Sequence, residues 1–413
     1  MRILMFGETY LPPAYLPRVR YFCAYFLKKG WDVTLIYEAS GDENYTPEGF
    51  STFPVNYYKH KKGIGSRIEW GCKFIAGLLF DHKGKFFYNQ SKAFLKGKEF
   101  DLVFCSSCFT FPLTSAARAA KERNIPLFVD LRDIAEQSPD DNYYMAHTPP
   151  KYFGNLITAI YKKISLKRRN KVLKAASGVT TVSPFHVKTL SSYNSNTKLI
   201  YNGFDETKFT PENRKTEYFT ISYFGRVYNE QMRNPRLLFA AVRNLRKKNI
   251  LSPENTVIKW FVDENSQHVI EKIVKEYGLE DFTEYHGFIM PDELSSEMNK
   301  SSVFLVLCNV ETEKRFFGIM TTKYFEALGT NRPVLCIPDI NDDLSRIIQE
   351  THSGLVSSDV SEVENFLLEK FTEWQQTGCT KGTLDETIRM DFSRQKGAEI
   401  LEELFEKTLK QRQ

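Results

Sequence analysis

The sequence predicts an α/β protein with two domains, each built from parallel strands covered by helices. Its 413 residues are too many for one ordinary core and suit two domains of about 200 residues each. Short apolar runs alternate with amphipathic segments in both halves, and each half opens with an apolar run that ends in glycine, at residues 2–7 and 219–225. Strands that alternate with helices favour parallel sheets.

The first half begins with a strand, a helix and a second strand. Residues 2–7 form an apolar run typical of a buried strand. Residues 18–29 predict a helix, because their apolar side chains fall on one face and Gly30 suits the C-terminal cap. Residues 32–37 predict the next strand, which completes a βαβ unit. The later predicted elements are strand 102–105, helix 113–123, strand 126–130, strand 179–183 and strand 198–201.

A second series of elements begins after Pro211. It comprises strand 219–225, helix 234–247, strands 257–262, 282–288 and 303–307, helix 321–328 with Gly329 as its cap, strand 334–337 and a final helix 393–413. We therefore predict a first domain at 1–203, a second at 204–392, and a C-terminal helix at 393–413 that packs back on the first domain.

The charge is divided unevenly between the halves. Residues 1–203 hold 29 Lys+Arg and 16 Asp+Glu, a net charge of +13, whereas residues 204–413 carry −8. The first half is thus expected to meet an anionic partner. Nucleic acid is disfavoured because no recognisable binding module accompanies the charge. Stretches 59–98 and 151–174 mix cations with large apolar side chains, which suits either an anionic membrane leaflet or an ordinary solvated face.

Neither a membrane span nor a secretion signal is predicted. The longest apolar runs are too short to cross a bilayer, and residues 2–7 resemble a strand more than a signal peptide. We therefore expect the protein in the cytoplasm, with the inner face of the membrane as a site of contact. The seven cysteines are expected as free thiols, and Cys105 with Cys108 lacks the second pair that a metal or redox site needs.

Residues 316–338 carry the most specific pattern in the sequence. Thr321 or Thr322 starts a helix, whose unpaired N–H groups favour a bound diphosphate. Lys323 lies in the first turn, and Glu326 lies on the same side three residues later. This carboxylate can accept hydrogen bonds from ribose hydroxyls. The alternative is a Lys–Glu pair on a solvated helix face.

That segment resembles the donor-binding motif of glycosyltransferase family 4 and related retaining enzymes. The family pattern places two glutamates around seven residues, followed by Gly, a short loop, Pro and a strand. Glu326, Gly329 and Pro333 match it, whereas Gly318 stands where the first glutamate belongs. Residues 200–209 resemble the interdomain signature of the family. The resemblance implies the GT-B architecture, in which two Rossmann-like domains face a cleft.

The resemblance also assigns roles on the donor side. Gly225 and Arg226 match the Gly-Arg that opens the second domain, and Arg233 is the nearest second cation. Two cations that oppose a diphosphate replace a metal, so neither a metal nor another cofactor is expected. His286 matches a position near the nucleotide base, although a capped strand end explains it equally well.

The remaining site predictions concern the acceptor and the chemistry. Tyr15 stands where the family places glycine, and together with Arg18 it is expected to shape the acceptor site. Asp130 and Asp133 follow a predicted strand and are expected to face the acceptor, with Asp133 orienting its hydroxyl. Asp133 and Glu326 are the candidate catalytic residues.

The resemblance thus implies a hexosyltransferase that moves a sugar from a nucleotide sugar to a glycan or lipid-linked acceptor, with retention, in surface polysaccharide or glycoconjugate synthesis. Two alternatives stay open. One is an epimerase or an inverting transferase that uses the same two domains. The other is a non-catalytic GT-B protein that binds nucleotide sugar or acts as a scaffold, which Gly318 and Tyr15 favour.

Overall fold

The computed structural model confirms the α/β fold with parallel sheets. It describes residues 1–9, 17–39, 49, 51–58, 63–137, 154–310 and 318–412. The chain forms two compact units, the first made of Met1–Tyr201 and Ala398–Gln413, and the second of Asn202–Gly397. Within the described ranges each unit has one sheet, and every strand pairs in parallel with its neighbours.

The first unit has its strands in the order β3-β2-β1-β4-β5-β6-β7. The strands described there are β1 (Arg2–Thr9), β2 (Asp32–Glu38), β3 (Ser51–Val55), β4 (Leu102–Ser107), β5 (Leu127–Leu131), β6 (Gly178–Thr181) and β7 (Thr197–Leu199). The helices described there are α1 (Pro17–Lys28), α2 (Ile64–Phe80), α3 (His82–Ser91), α4 (Leu113–Arg123), α5 (Gly154–Ala175) and α6 (Pro184–Ser191).

Strand β1 is the third strand in the order of this sheet and is buried on both faces. Leu4 and Phe6 belong to the core on one face, while Ile3 and Met5 belong to the core on the other. This burial explains why residues 2–7 read as a continuous apolar run, since successive strand residues point to opposite faces.

The last helix, α14 (Arg394–Lys410), covers one face of this sheet with its second part. Phe405 is fully buried, and its ring centroid lies 5.8 Å from that of Phe26, 5.5 Å from Phe104 and 4.5 Å from Phe128. Aromatic contacts at these distances add to the stabilisation that burial provides. The second part of α14 is therefore part of the core of the first unit.

The second unit has its strands in the order β10-β9-β8-β11-β12-β13. The strands described there are β8 (Phe219–Phe224), β9 (Thr256–Phe261), β10 (Thr283–His286), β11 (Val303–Leu307), β12 (Val334–Ile337) and β13 (Gly354–Val356). The helices described there are α7 (Arg236–Lys247), α8 (Glu264–Tyr277), α9 (Leu294–Asn299), α10 (Thr322–Gly329), α11 (Asp343–Glu350), α12 (Val360–Thr377) and α13 (Glu386–Met390).

Each sheet has a switch point, where the strand order reverses its direction of growth. It lies between β1 and β4 in the first unit and between β8 and β11 in the second. At such a point the connections leave on opposite faces, and a crevice opens at the carboxyl ends of the strands. The fold therefore indicates one binding crevice in each unit.

The prediction that Gly329 caps helix 321–328 was wrong. Helix α10 continues through Gly329, and Thr330 follows with a φ of −86°. A Cβ atom at Gly329 would lie 2.6 Å from the Cβ atom of Phe209 and 2.8 Å from the ring of Phe204. Glycine is thus required there for close packing, and Asn331 adopts the left-handed conformation after the helix, with a φ of 49°.

In the ranges that the structure describes, no helix combines the length and the hydrophobicity that crossing a bilayer would require. All seven cysteines are free thiols, as predicted. Burial raises the pKa of Cys105 and of Cys108, so both thiols stay protonated and unreactive.

Candidate functional site

A pocket of about 90 Å³ lies at the switch point of the second unit. The carboxyl ends of β8 and β11, the start of α10 and the segment before α11 form its walls. The lining residues are Tyr223, Phe224, Gly225, Arg233, Leu305, Val306, Leu307, Cys308, Asn309, Ile319, Thr321, Lys323, Ile340, Asp342 and Leu344. Four residues predicted from the sequence, namely Gly225, Arg233, Thr321 and Lys323, are thus brought together.

Gly225 lies directly after β8 in a backbone conformation that favours glycine. Its φ of +149° is rare for residues with a side chain. A Cβ atom there would lie 3.4 Å from the hydroxyl of Tyr223 and 3.8 Å from Nη1 of Arg233. These are ordinary contact distances, so glycine is favoured here by its backbone conformation and not by a lack of space.

Arg233 is held at the pocket by neutral acceptors. Its Nε donates to Oδ1 of Asn309 over 2.9 Å, and its Nη1 donates to the carbonyl oxygen of Arg226 over 2.6 Å and to the hydroxyl of Tyr223 over 3.3 Å. Because these acceptors carry no charge, the bonds fix the guanidinium without neutralising it. A fixed cation at a strand end attracts an anionic ligand.

The start of α10 adds a second positive feature. Thr321 is the N-cap residue, and its hydroxyl accepts from the backbone N–H of Lys323 over 3.4 Å. Lys323 lines the pocket, and its Nζ donates to Oε2 of Glu326 over 2.7 Å. The helix start favours negative charge, as does the ammonium group. Thr322 is the first residue of α10 and does not line the pocket.

Arg226 and His286 do not line this pocket. Arg226 is exposed, forms a 3.0 Å ion pair with Asp263, and its guanidinium carbon lies 5.5 Å from the ring centroid of Phe288. His286 ends β10, its ring stacks on Phe261 at 4.9 Å, and its Nε2 lies 3.2 Å from Oε2 of Glu284.

Sequence reasoning missed three polar residues of the pocket, namely Tyr223, Asn309 and Asp342. Burial raises the pKa of Tyr223 and that of Asp342, which caps α11 by accepting from the N–H of Ser345 over 2.8 Å. Asn309 follows the predicted strand 303–307, so its position just after a strand was the signal that pointed to it.

In the first unit, Arg18 and Asp130 are buried against each other. Nη2 of Arg18 lies 2.8 Å from Oδ1 of Asp130 and its Nε lies 3.1 Å from Oδ2, while the hydroxyls of Ser106 and Thr180 each donate to the carboxylate over 2.7 Å. Burial alone raises the pKa of Asp130, but the charge of Arg18 and these hydrogen bonds outweigh it and keep the pKa below its ordinary value. Because Arg18 is 6% exposed and Asp130 is 0% exposed, the part that they take in an acceptor site stays a prediction.

Asp133 is partly exposed, and its Oδ1 accepts from Nε2 of Gln137 over 3.3 Å. Tyr15, the other residue expected at the acceptor, lies outside the described residues. Within the described ranges, no group of three or more His, Cys, Asp or Glu side chains is placed to hold a metal ion.

A larger pocket of about 420 Å³ lies in the first unit and was not predicted. Its aromatic lining comprises Tyr57, Tyr58, Trp70, Phe74, Phe109, Phe111 and Tyr161. Its carboxylates are paired: Glu38 lies 2.7 Å from Lys83, Asp81 lies 2.5 Å from Arg118, and Glu8 lies 3.1 Å from Arg132. Glu8 also accepts from the backbone N–H groups of Cys108 and Phe109 over 2.6 and 2.8 Å, which fixes the loop after β4.

Residues 18–208 match Glycosyltransferase Family 4, whereas a comparison with curated proteins gives no match. Among solved structures, the chain is similar to Alr3699/HepE of Anabaena in complex with UDP, at 14% identity and a TM-score of 0.59 over 98% of this chain and 100% of that one. It is also similar to the sucrose-phosphate synthase of Thermosynechococcus elongatus, at 14% identity and a TM-score of 0.62 over 98% of both chains.

A third similar structure is WaaG, a glycosyltransferase involved in lipopolysaccharide biosynthesis, at 13% identity and a TM-score of 0.52 over 98% of both chains. At such low identity these structures show the fold, which confirms the GT-B architecture inferred from the sequence. The chain therefore has the fold of the GT-B glycosyltransferases, and together with the Family 4 match of residues 18–208 this indicates a glycosyltransferase.

Proposed function

We propose that the protein transfers a hexosyl group from a nucleotide sugar to a glycan or lipid-linked acceptor. The observation that carries this proposal is the convergence of Arg233, Lys323 and the start of α10 on one pocket at the switch point of the second unit. These features suit a diphosphate, because each of them favours negative charge. The complex of HepE with UDP supports a nucleotide donor.

In this proposal the diphosphate of the donor lies against Arg233 and Lys323, while Glu326 accepts hydrogen bonds from the ribose. As the bond between the sugar and the phosphate breaks, negative charge grows on the leaving oxygen, and fixed cations stabilise it. Both cations are supplied by the protein, so we propose that transfer needs no metal. The leaving phosphate oxygen accepts the proton of the acceptor hydroxyl, which permits retention without a protein base.

The proposed setting is surface polysaccharide or glycoconjugate synthesis, with peripheral contact to the inner face of a membrane. The role of the similar WaaG in lipopolysaccharide biosynthesis supports this setting. The excess of cations in the first half supports contact with an anionic leaflet.

A second candidate function is nucleotide-sugar binding without transfer, as in a scaffold protein. Gly318 favours it, because this residue stands where the family motif carries its first glutamate. The two functions share the donor pocket and differ in whether the bond between the sugar and the phosphate is cleaved.

A thermal-shift screen against UDP, GDP, ADP and CMP, with and without EDTA, tests the donor pocket. We expect one nucleoside diphosphate to raise the melting temperature equally in both conditions, since a ligand that binds only the folded state stabilises it. A rise that EDTA abolishes would contradict metal-free binding, and no rise with any nucleotide at millimolar concentration would contradict the donor pocket. Release of the nucleoside diphosphate from the matching UDP- or GDP-sugar then separates a transferase from a scaffold.

A further inference from the structure

Helix α2 exposes a continuous apolar stripe. Ile64, Ile68, Ile75 and Leu79 are between 57% and 78% exposed, and Cys72 is exposed among them. Their spacing of three, four or seven residues places them on one face of the helix. In the described part of this helix no residue is buried. A helix that only packs against a protein core would bury its apolar stripe.

Helix α5 lies beside α2 and exposes a stripe that is apolar at one end and cationic along the rest. Leu156 and Ile160 are exposed near its start. The exposed lysines that continue the stripe at helical spacing are Lys163, Lys167, Lys171 and Lys174. No Asp or Glu occurs between Asp141 and Asp205, so no carboxylate close in sequence offsets these charges.

The contacts between the two helices fix the side on which the stripes lie. The rings of Phe74 and Tyr161 are 5.6 Å apart, and further along both helices Arg168 donates to the carbonyl oxygens of Gly77 and Leu78 over 2.7 and 2.9 Å. The helices therefore run in the same direction. Successive residues of a helix are rotated by 100°, so the positions of the contacting residues and of the exposed residues place both stripes on the same side of the helix pair.

The opposite side of the same two helices lines the large pocket of the first unit. Trp70, Lys73 and Phe74 of α2, together with Tyr161 and Ser165 of α5, belong to the pocket wall. Helix α2 thus separates this pocket from the exposed stripe.

We infer that the stripe formed by α2 and α5 is a docking surface for an anionic lipid bilayer. Exposed apolar side chains next to a row of lysines match the acyl boundary and the anionic headgroups of a leaflet. A second copy of the chain is a poorer occupant, because an isologous contact would bring two rows of four lysines into one interface. The inference deepens the membrane contact included in the proposed function by naming the surface that makes it.

This surface also bears on the acceptor. The stripe and the pocket lie on opposite sides of α2, about 10 Å apart, so a bilayer bound to the stripe would hold a lipid-linked acceptor close to the pocket. Aromatic rings and carboxylates suit the faces and hydroxyls of sugars. This step rests on the proposed function, whereas the docking itself does not.

The test is flotation of the full-length protein with phosphatidylcholine vesicles that contain or lack phosphatidylglycerol. We expect binding to the anionic vesicles and a loss of about tenfold or more in the Ile68→Glu/Ile75→Glu variant, because two carboxylates would face the acyl region. Lys167→Glu/Lys171→Glu is expected to lose binding to a similar extent, and added salt to weaken the wild type. Ile388→Glu, an exposed apolar residue of α13 in the second unit, is the matched control and should bind as the wild type does.

Cys72 gives an independent readout, because it lies on the stripe and is the exposed cysteine of the chain. A polarity-sensitive maleimide dye at Cys72 should shift its emission to the blue on anionic vesicles. The absence of anionic-vesicle binding by the wild type, or wild-type binding by Ile68→Glu/Ile75→Glu, would overturn the inference. So would conversion of a dimer to a monomer by that variant without loss of vesicle binding.

Vesicle binding is measured without nucleotide, and the thermal-shift screen is repeated on each variant. If Ile68→Glu/Ile75→Glu loses the flotation of the wild type but no nucleotide stabilises either protein, the docking surface is supported and the proposed function is contradicted. If a nucleotide stabilises the wild type but the wild type does not float, the proposed function is supported and the docking surface is contradicted.

Discussion

Two pairs of a cation and a carboxylate, one in each unit, differ in what surrounds them. Arg18 and Asp130 are 6% and 0% exposed, and the carboxylate also accepts two hydroxyl hydrogen bonds. Lys323 and Glu326 are 31% and 10% exposed, and a single 2.7 Å contact joins them beside a pocket that Lys323 lines. The same charge chemistry therefore occurs once in a closed setting and once in an open one.

This comparison indicates that solvent access and remaining hydrogen-bonding capacity separate a structural pair from a binding pair. In the closed pair, Asp130 already accepts from Arg18, Ser106 and Thr180, and no ligand can reach it. In the open pair, the contact with Glu326 uses one of the three donors of Lys323, which leaves capacity for an anion. Four experiments test this contrast between the two pairs.

Replacing Asp130 should give the largest effect. Asp130→Asn leaves Arg18 buried without its counterion, so we expect the free energy of unfolding to fall by about 3 kcal/mol. Urea denaturation followed by circular dichroism measures it. Asp133→Asn is the matched control, because Asp133 is partly exposed, and it should cost less than about 1 kcal/mol. Equal losses in the two variants would contradict a structural role for the closed pair.

The closed pair also predicts a pH dependence of stability. Because the pKa of Asp130 in the folded protein lies below its ordinary value of 3.8, the ionised pair stabilises the folded state above that value and loses this contribution as the pH falls through the folded-state pKa. The difference in unfolding free energy between wild type and Asp130→Asn should thus be constant at neutral pH and shrink below about pH 4. A difference that shrinks already between about pH 7 and pH 5 would contradict a lowered pKa.

Replacing Lys323 should weaken nucleotide binding with little effect on stability. A hydrogen bond to a charged group is worth about 1.5–3 kcal/mol, so Lys323→Ala should lower the affinity for the matching nucleoside diphosphate by about ten- to hundredfold. Isothermal titration calorimetry measures it. Lys300→Ala is the control, since Lys300 pairs with Glu297 at the same spacing and does not line the pocket. An unchanged affinity for Lys323→Ala would show that the open pair is not a binding pair.

The two arginines of the second unit should differ in the same titration. Arg233 lines the pocket, so Arg233→Ala should lower nucleotide affinity by about tenfold or more. Arg226 pairs with Asp263 outside the pocket, so Arg226→Ala should lower nucleotide affinity by less than about threefold. The reverse order would favour the family motif over the geometry of this pocket.

The sequence was sufficient to predict the interior strands of both sheets but not the edge strand of the first sheet. The runs of β1, β8 and β11 are buried on both faces and read as continuous apolar segments. Strand β3 was not predicted, because it is short, lies at the edge of the sheet and contains Pro54, which weakens a strand pattern. Helix α2 was missed because apolar residues occur both on its exposed side and on its pocket side, so that no single apolar stripe distinguishes it.

The candidate site was predictable where local motifs define it. Thr321 and Lys323 follow from a helix start, whereas Gly225 and Arg233 were assigned through the resemblance to the family. Tyr223 and Asn309 join the pocket only through the order of strands β8 and β11, which no local pattern contains. Similarly, Arg18 and Asp130 are 112 residues apart in the sequence, so their mutual burial emerges only from the fold.

The most direct test of the contrast is to measure unfolding free energy and nucleotide affinity on the same preparations of Lys323→Ala and Asp130→Asn. Our account predicts a crossed result: Lys323→Ala keeps its stability and loses affinity, whereas folded Asp130→Asn loses stability and keeps affinity. Parallel losses of both quantities in both variants, or wild-type affinity in Lys323→Ala, would contradict it.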